Sequence, residues 1–358
     1  MLRLLVSLLG ILGGGAHHPA NLTVVEPRPY EVWDGHLQGQ ASGIVHLRAG
    51  GRRYTLVPGP SGRFSVRVPH FVIGDTAVTV AGRRIPVYGL PPGSLRPLAP
   101  ARDDPRLDRM LHALAAHATA DVGAYVHRAD GRAAAWNAGA EFEAASTLKL
   151  PIMIAALERI GGEPRATAYW SPFVAITRSS SNLAADDVLA LLGGSEAGGA
   201  ARMVAAMRRL NLRNTYLYGG YLTEPGAGGG PPPQRTEAPP PPSFKHTTAG
   251  DMAHLAAWLA DAAAGSGPLV RHGVSRHEAR ELLYLLLHAA DPGLVRPGAA
   301  GRPVAHKIGW LETSRDDVAV VFTRRGPVVV TVYAQGRIDA TVYAFGRAVA
   351  RAALAGKR

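Results

Sequence analysis

A serine and a lysine three residues apart are the first residues whose types and spacing could do chemistry. Ser146 and Lys149 lie in the apolar stretch EAASTLKLPIMIAALERI, residues 143–160. Positions three apart are neighbours on one face of a helix, so the hydroxyl and the amine would lie side by side. Serine needs a base to become a nucleophile, and a lysine buried among apolar side chains has a lowered pKa and can take the proton. The pair indicates nucleophilic catalysis, and the alternative is a capping serine beside a solvent-exposed lysine.

The rarity of lysine sets Lys149 apart from the other basic residues. Of 39 basic residues in the chain, only four are lysine, namely Lys149, Lys245, Lys307 and Lys357. Pro151 follows closely, and proline is tolerated only near the start of a helix, so a helix should begin close to Ser146. Backbone N–H groups at that point favour developing negative charge.

Two later motifs belong with this pair. ITRSSSNL places Ser180 and Asn182 just before a helical segment, and HKIGW places Lys307 and Gly309 at the start of a late strand. Ser-X-X-Lys, Ser-X-Asn and Lys-X-Gly, in this order, resemble the motifs of serine β-lactamases and penicillin-binding proteins, with class A β-lactamases as the nearest match. The resemblance covers residues 103–358.

The resemblance implies a role for each motif residue. Ser146 would attack the carbonyl carbon of an amide, and Lys149 would be its base, directly or through water. Ser180 would pass a proton to the leaving nitrogen, and Asn182 would hold the side-chain amide of the substrate.

The last motif implies the rest of a substrate site. Lys307 would set a positive potential and help to hold a substrate carboxylate, while Gly309 would complete the binding strand. The backbone N–H groups of Ser146 and Trp310 would form the oxyanion hole. Arg315 lies near the position where some class A enzymes carry a carboxylate-binding arginine. The alternative for this arginine is a surface salt bridge to one of the next two residues, Asp316 or Asp317.

The chain departs from the class A pattern at three positions. Class A enzymes carry a glutamate, usually within Glu-Pro-X-Leu-Asn, that activates water for hydrolysis of the acyl-enzyme. Glu224 is the candidate because Pro225 follows it, but no Leu-Asn comes after, and a plain surface glutamate is the alternative. Ser181 replaces an aspartate of the second motif. Ile308 replaces a threonine or serine whose hydroxyl would bind the substrate carboxylate.

The elements that must position these residues divide the chain into segments. Short alternating strands over residues 20–90 predict a small all-β sandwich of immunoglobulin type. A proline-rich linker follows at 91–102. In 103–358, two strands, a helical block, three strands and a closing helix predict an α+β domain of the β-lactamase/transpeptidase type, whose antiparallel sheet is built from both chain ends. Residues 224–243 are rich in proline and glycine and predict a long surface loop.

The N-terminal segment and the composition indicate which cellular compartment and which partners to expect. Residues 1–16 resemble a secretory signal peptide, which predicts a secreted or cell-envelope protein, with an uncleaved anchor as the alternative. With a net charge of +12, the surface could meet nucleic acid, acidic lipid or an acidic cell-wall polymer, and the favoured alternative is a plain solvated surface rich in arginine. No basic block is interleaved with aromatic residues, so no nucleic acid is expected. Without cysteine or paired histidine spacing, no metal is expected, and the chemistry needs no cofactor.

These observations predict a secreted serine hydrolase that forms an acyl-enzyme at Ser146. Hydrolysis of β-lactam amides, and thereby antibiotic resistance, is the leading hypothesis. A D,D-peptidase or esterase acting on cell-wall peptides is the first alternative, and a catalytically inactive wall-binding or sensor module is the second. Each version with activity requires the three motifs to meet in one cleft between the helical and sheet halves.

Overall fold

The computed structural model describes residues 21–27, 31–33, 35–49, 51–67, 74–91, 93–222 and 245–355. The chain divides into two compact units, and the first ends at Pro91. The predicted signal peptide at 1–16 and the predicted loop at 224–243, with Glu224, lie outside the described residues. The predicted boundaries of sandwich, linker and hydrolase domain stay predictions.

The first unit consists of short strands. They are β1 (Leu22–Glu26), β2 (Glu31–Trp33), β3 (His36–Ala41), β4 (Val45–Ala49), β5 (Arg52–Leu56), β6 (Arg63–Arg67), β7 (Gly74–Val80) and β8 (Arg83–Gly89). One sheet has the order β1-β3-β6 and the other β2-β8-β7-β4-β5. Alternation along β4, where Val45 and Leu47 are buried and His46 is exposed, turns one face toward a shared apolar core. The immunoglobulin-type arrangement stays a prediction.

The second unit contains the sheet that matters for the site. Its strands are β9 (Arg102–Asp103), β10 (Asp121–His127), β11 (Arg132–Trp136), β12 (Glu141–Glu143), β13 (His246–Thr248), β14 (Val304–Leu311), β15 (Ser314–Thr323) and β16 (Gly326–Gln335). Six of them form one sheet in the order β14-β15-β16-β10-β11-β9, and β12 pairs with β13. Early strands therefore pair with late ones through β10 and β16, which confirms the predicted sheet from both chain ends.

Helices cover both faces of this sheet. They are α1 (Pro105–Ala115), α2 (Lys149–Ile160), α3 (Trp170–Ser179), α4 (Asn182–Gly193), α5 (Glu196–Arg209), α6 (Ala249–Ala264), α7 (Pro268–Arg271), α8 (Arg276–Leu286) and α9 (Ala340–Leu354). Helices α1 and α9 share a core with one face, while α6 packs on the other. Within the described ranges, no helix combines the length and apolar character needed to cross a bilayer.

The fold leaves β14 at the edge of the six-stranded sheet. The inner strand β16, with the sequence GPVVVTVYAQ, is buried at every position, because both of its faces are covered. Strand β14 instead has one hydrogen-bonded neighbour, β15, and packs against a short helical turn that precedes α2. That turn carries Ser146, so the edge strand and the candidate nucleophile lie together.

Candidate active site

Ser146 lies in a tight turn that leads into α2. The turn is a 3-10 helix from Ala145 to Leu148, and α2 starts at Lys149 with Pro151 as its third residue. The predicted helix start is therefore confirmed, with a tighter first turn than an α-helix has. Ala145 has a φ of 43°, a left-handed conformation that costs free energy for a residue with a side chain. The surrounding contacts must hold this backbone in place.

Buried hydroxyl groups fix the turn to the sheet. Tyr333 on β16 donates to Thr147 Oγ1 at 2.9 Å, and Thr147 Oγ1 donates to the Ala144 carbonyl at 2.5 Å. Both hydroxyl-bearing side chains are fully buried. Because buried hydroxyls are costly unless they are paired, this chain of bonds gives the turn a defined position.

The second motif forms the junction between α3 and α4. Ser180 ends α3 in a left-handed conformation with a φ of 58°, and Asn182 is the first residue of α4. Between them, the Ser181 side chain accepts a hydrogen bond from the Ala184 N–H at 3.2 Å and caps α4. Serine thus supplies a capping oxygen where the class A pattern has an aspartate.

Lys149 joins the first two motifs. Its Nζ lies 2.8 Å from Ser146 Oγ, 2.7 Å from the Ser180 carbonyl oxygen and 2.5 Å from Asn182 Oδ1. The lysine is fully buried, whereas Ser146 is half-buried and Asn182 is exposed. The nucleophile is thus accessible from solvent while its neighbouring amine is not.

Burial lowers the pKa of Lys149 and so favours the neutral amine, which is the form that can act as a base. Desolvation lowers the pKa of Lys149 to about 7, the Asp186 carboxylate opposes this shift, and the Lys245 ammonium adds to it. A neutral amine has two N–H donors and one lone pair. The carbonyl oxygens of Ser180 and Asn182 can only accept, so they take the two donors. The lone pair then faces Ser146 Oγ, whose hydroxyl can donate to it.

Lys307 brings the third motif to the same place. It is 2% exposed, and its Nζ donates to Ser180 Oγ at 2.9 Å and to the Ile308 carbonyl at 2.7 Å. Burial lowers its pKa well below the usual value, and Lys149 lowers it further. The Ser180 hydroxyl therefore lies between two amines, since its distance to Lys149 Nζ is 3.4 Å.

Gly309 allows β14 to approach the nucleophile turn. A Cβ built at this position would lie 3.1 Å from the Ala145 Cβ and 3.2 Å from the Ala144 carbonyl oxygen. A larger residue would push the strand and the turn apart. Trp310 follows and is 62% exposed at the end of the strand.

Arg315 lies on the sheet face opposite to Lys307. It pairs directly with Trp310 across β14 and β15, and residues three apart on a strand point to opposite faces. Its guanidinium donates to both carboxylate oxygens of Asp291, at 2.7 and 2.9 Å. The alternative of a pair with Asp316 or Asp317 is therefore wrong. The proposed contact of Arg315 with a substrate carboxylate stays a prediction.

Sequence reasoning missed an aromatic residue beside the lysine. The Tyr221 ring centroid lies 4.5 Å from Lys149 Nζ, and the Tyr221 hydroxyl donates to the Ala145 carbonyl at 3.2 Å. The Asp186 carboxylate accepts from the backbone N–H groups of Tyr221 and Leu222, at 2.6 and 2.9 Å. No local motif signals this contact, because it depends on hydrogen bonds between distant segments.

Lys245 is a second residue that the motifs did not identify. Its Nζ lies 5.0 Å from the centroid of the Tyr221 ring and 5.2 Å from that of Tyr218, and it donates to the Gly220 carbonyl. The Ala144 N–H donates to the Lys245 carbonyl at 3.0 Å, which holds this residue beside the nucleophile turn. The scarcity of lysine was a usable signal, since three of the four lysines lie at this site.

The three motifs lie together in one site, as the sequence predicts. Hydrogen bonds link Ser146, Lys149, Ser180, Asn182 and Lys307 in one connected group. The described part of the chain contains no cluster of three or more histidine or acidic side chains able to hold a metal ion. An α+β fold with a serine beside a buried lysine is typical of serine hydrolases that work through an acyl-enzyme.

Comparison with known proteins gives the family. The model of the beta-lactamase enzyme family matches residues 106–165 and 175–355, and the chain belongs to that family. This makes the second unit a serine hydrolase of the class A-like type. Curated protein sequences give no match.

Solved structures show the same fold. A structure of PBP-A is 19% identical, with a TM-score of 0.56, and covers 71% of this chain and 97% of its own. An ancestral class A β-lactamase is 22% identical, with a TM-score of 0.53 and coverage of 69% and 98%. The β-lactamase from Sphaerobacter thermophilus is 20% identical, with a TM-score of 0.53 and coverage of 69% and 95%.

Proposed function

We propose that the protein is an exported serine hydrolase that opens β-lactam amides by forming an acyl-enzyme at Ser146. The observation that carries this proposal is the 2.8 Å contact between Ser146 Oγ and Lys149 Nζ, in which the amine has a pKa of about 7. A base with this pKa is neutral in a substantial fraction of molecules near pH 7 and can take the serine proton as the new bond forms. Export rests on the signal-like sequence of residues 1–16.

Acylation follows from the contacts in the site. Ser146 Oγ attacks the amide carbonyl carbon and gives its proton to Lys149. The oxygen that becomes negative would be held by the backbone N–H groups of Ser146 and Trp310, and such a donor contributes about 2.7–4 kcal/mol. The C–N bond then breaks, and the leaving nitrogen takes a proton from Ser180 Oγ. Ser180 regains a proton from Lys149 at 3.4 Å, so the protons balance.

The remaining residues would bind the substrate. Lys307 lies 2.9 Å from Ser180 Oγ, where its protonated form, which a bound substrate carboxylate would favour, would assist proton transfer and hold that carboxylate. Asn182 is exposed at the start of α4, where its amide can reach the side-chain amide of a substrate. Gly309 lets β14 lie close enough to Ser146 for a substrate to bind along the strand. Glu224, which lies outside the described residues, is the proposed base for whatever release of the ester occurs.

A D,D-peptidase acting on cell-wall peptides is the second candidate. The observation that favours it is Tyr221, whose ring centroid lies 4.5 Å from Lys149 Nζ and leaves less room there for a hydrolytic water. The absence of a hydroxyl at Ile308 also weakens binding of a penicillin carboxylate. A PBP-A variant, 19% identical and with a TM-score of 0.55, has been solved as an acyl-enzyme complex with penicillin G. This relative supports the same first step for either candidate.

Intact-mass spectrometry over time tests the proposed function. Wild-type protein incubated with benzylpenicillin or a cephalosporin should gain the mass of one opened β-lactam. Ser146→Ala should gain nothing, and the exposed-serine control Ser266→Ala should label like wild type. If wild-type protein never gains an adduct with any acylating probe, the inactive binding module becomes the better reading.

A further inference from the structure

The environment of Lys149 differs from what rapid hydrolysis of an acyl-enzyme requires. In hydrolysis, a water oxygen adds to the ester carbonyl carbon, the bond to Ser146 Oγ breaks, and the water proton passes through a base to that oxygen. The base must therefore contact both the water and the ester. Among the described residues, Lys149 is the base nearest to Ser146, so the space around its Nζ decides whether this lysine can activate water.

The polar directions around Nζ are filled in the free enzyme. A lysine nitrogen has three directions besides its bond to Cε. Ser146 Oγ, the Ser180 carbonyl and Asn182 Oδ1 lie along them, all within 2.8 Å. Acylation would turn the serine oxygen into an ester oxygen that no longer donates. The lone pair of neutral Lys149 would then need a new donor, and water is the small molecule that could supply it.

Tyr221 occupies space that such a water would need. Its ring centroid lies 4.5 Å from Lys149 Nζ, and its hydroxyl is fixed to the Ala145 carbonyl, one residue before the nucleophile. Its backbone is held by Asp186. Lys245 lies over the same ring. Because the ring is held at three points, it presents a fixed apolar surface that we do not expect water to displace.

Among the described residues around Lys149, no carboxylate is placed to act as a second base. Burial, with a smaller contribution from Asp186, holds the pKa of Tyr221 above its usual value, so its hydroxyl stays a neutral donor. Asp186 is the one carboxylate in the described part of the chain that changes the pKa of Lys149. Its two oxygens accept the amides of Tyr221 and Leu222. Lys245 is a cation whose charge lowers the pKa of Lys149.

We propose that Tyr221 keeps water away from Lys149 and thereby makes the acyl-enzyme at Ser146 long-lived. This inference rests on the proposed function, because it assumes that Ser146 becomes acylated. It assigns Tyr221 as a positioning residue that determines how the ester partitions between retention and hydrolysis. The protein would then bind β-lactams covalently and turn them over slowly.

The test follows the benzylpenicillin adduct by intact mass after excess ligand is removed. Wild-type adduct should persist, and Tyr221→Ala and Tyr221→Ser, which open the space beside Nζ, should release it at least tenfold faster. Tyr221→Phe keeps the ring and loses only the bond to the Ala145 carbonyl, so it should retain slow release. Tyr218→Ala is the matched control, because this tyrosine contacts Lys245 at a centroid distance of 5.2 Å and should leave the lifetime unchanged.

Each outcome decides between the two proposals. No wild-type adduct overturns the proposed function, whereas a wild-type adduct that disappears within seconds overturns the role of Tyr221 alone. Equal lifetimes for wild type and both small variants also overturn that role. If neither small variant can be acylated, the ring is required for acylation and the proposal is again wrong. Thermal unfolding of each variant shows whether it is folded when the adduct is measured.

Discussion

The two sides of Lys149 are built differently. On one side, Ser180, Asn182 and Lys307 follow the motifs of the family and form a connected set of hydrogen bonds with the lysine and the nucleophile. On the other side, Tyr221 and Lys245 place an aromatic ring and a cation beside the lysine. We call these the motif side and the tyrosine side.

The difference separates two halves of one reaction. Formation of an ester needs a nucleophile, a base, a proton donor for the leaving nitrogen and an oxyanion hole. The residues that we propose for these roles are those of the motif side together with Ser146, Lys149 and Trp310. Release of the ester needs a water and a base that activates it. The tyrosine side offers an apolar surface instead. Different segments of the chain provide the two sides, so the proposed roles in acylation and in release can be tested separately.

Loss of Lys149 should give the largest effect and tests the motif side directly. In Lys149→Ala, nothing else within the described group can take the Ser146 proton, so the acylation rate should fall by at least about 10³-fold. Arg159→Ala removes an exposed cation from the same helix and should acylate like wild type. Rates come from stopped time points with a fluorescent penicillin. Labelling of Lys149→Ala at the wild-type rate would contradict its role as the base.

A methyl group at Gly309 should give the next largest effect. The new Cβ would lie 2.7 Å from Asp316 Oδ2 and 3.1 Å from the Ala145 Cβ, so β14 or the nucleophile turn must move. A displacement of about 1 Å in a catalytic group costs roughly 10²-fold in rate, and we expect a loss of this order in acylation. Gly162→Ala is the matched control, because a Cβ there meets nothing within 4 Å. Equal acylation rates for the two variants would show that the strand tolerates the shift.

The pH dependence of acylation tests how the tyrosine side acts on the motif side. Lys149 must be neutral to accept a proton, so the acylation rate should rise with pH through about 7 and then level off. Lys245 lowers the pKa of Lys149 by charge repulsion, so Lys245→Met should move the midpoint to higher pH. Arg209→Met, which removes a half-exposed cation paired with Glu158, should leave the midpoint in place. A midpoint that is unchanged in Lys245→Met would mean that Lys245 does not contribute to the low pKa of Lys149.

Local sequence rules predicted the pair of Ser146 and Lys149, and the resemblance to the class A motifs predicted that the motif side joins this pair. The spacing of Ser146 and Lys149 places them together because a helical turn is a local structure, and Pro151 fixes where that turn begins. The order of strands and helices predicted the sheet that brings β14 to the nucleophile. These inferences succeed because each depends on residues that are close in the chain, or on a sheet topology with few alternatives.

The same rules could not predict the tyrosine side. Tyr221 reaches Lys149 through an irregular segment after α5, and its position depends on hydrogen bonds to Asp186 on another helix. No periodicity in the sequence encodes such a contact. The ion-pair partner predicted for Arg315 was wrong for a simpler reason. Successive residues of a strand point to opposite faces, so adjacent Asp316 faces away and Arg315 pairs with Asp291, which comes from a loop.

The smallest predicted effect concerns stability beneath the motif side. Asp316 is fully buried under Gly309, and in the described part of the chain its carboxyl oxygens make no hydrogen bond of ordinary geometry. Burial raises its pKa well above the usual value, the Ala334 amide opposes this shift, and Glu143 adds to it. Folded protein therefore keeps this proton at a pH where the unfolded chain has released it.

Stability should consequently fall as pH rises above the ordinary aspartate value of 3.8, by up to about 1.4 kcal/mol per pH unit from this group. Asp316→Asn lacks the ionisation, so its melting temperature relative to wild type should increase between about pH 5 and pH 8. Asp187→Asn removes an exposed acid from α4 and should follow wild type at a constant offset. If the melting temperatures of wild type and Asp316→Asn change in parallel with pH, Asp316 is ionised in the folded protein. The motif side would then rest on a buried charge.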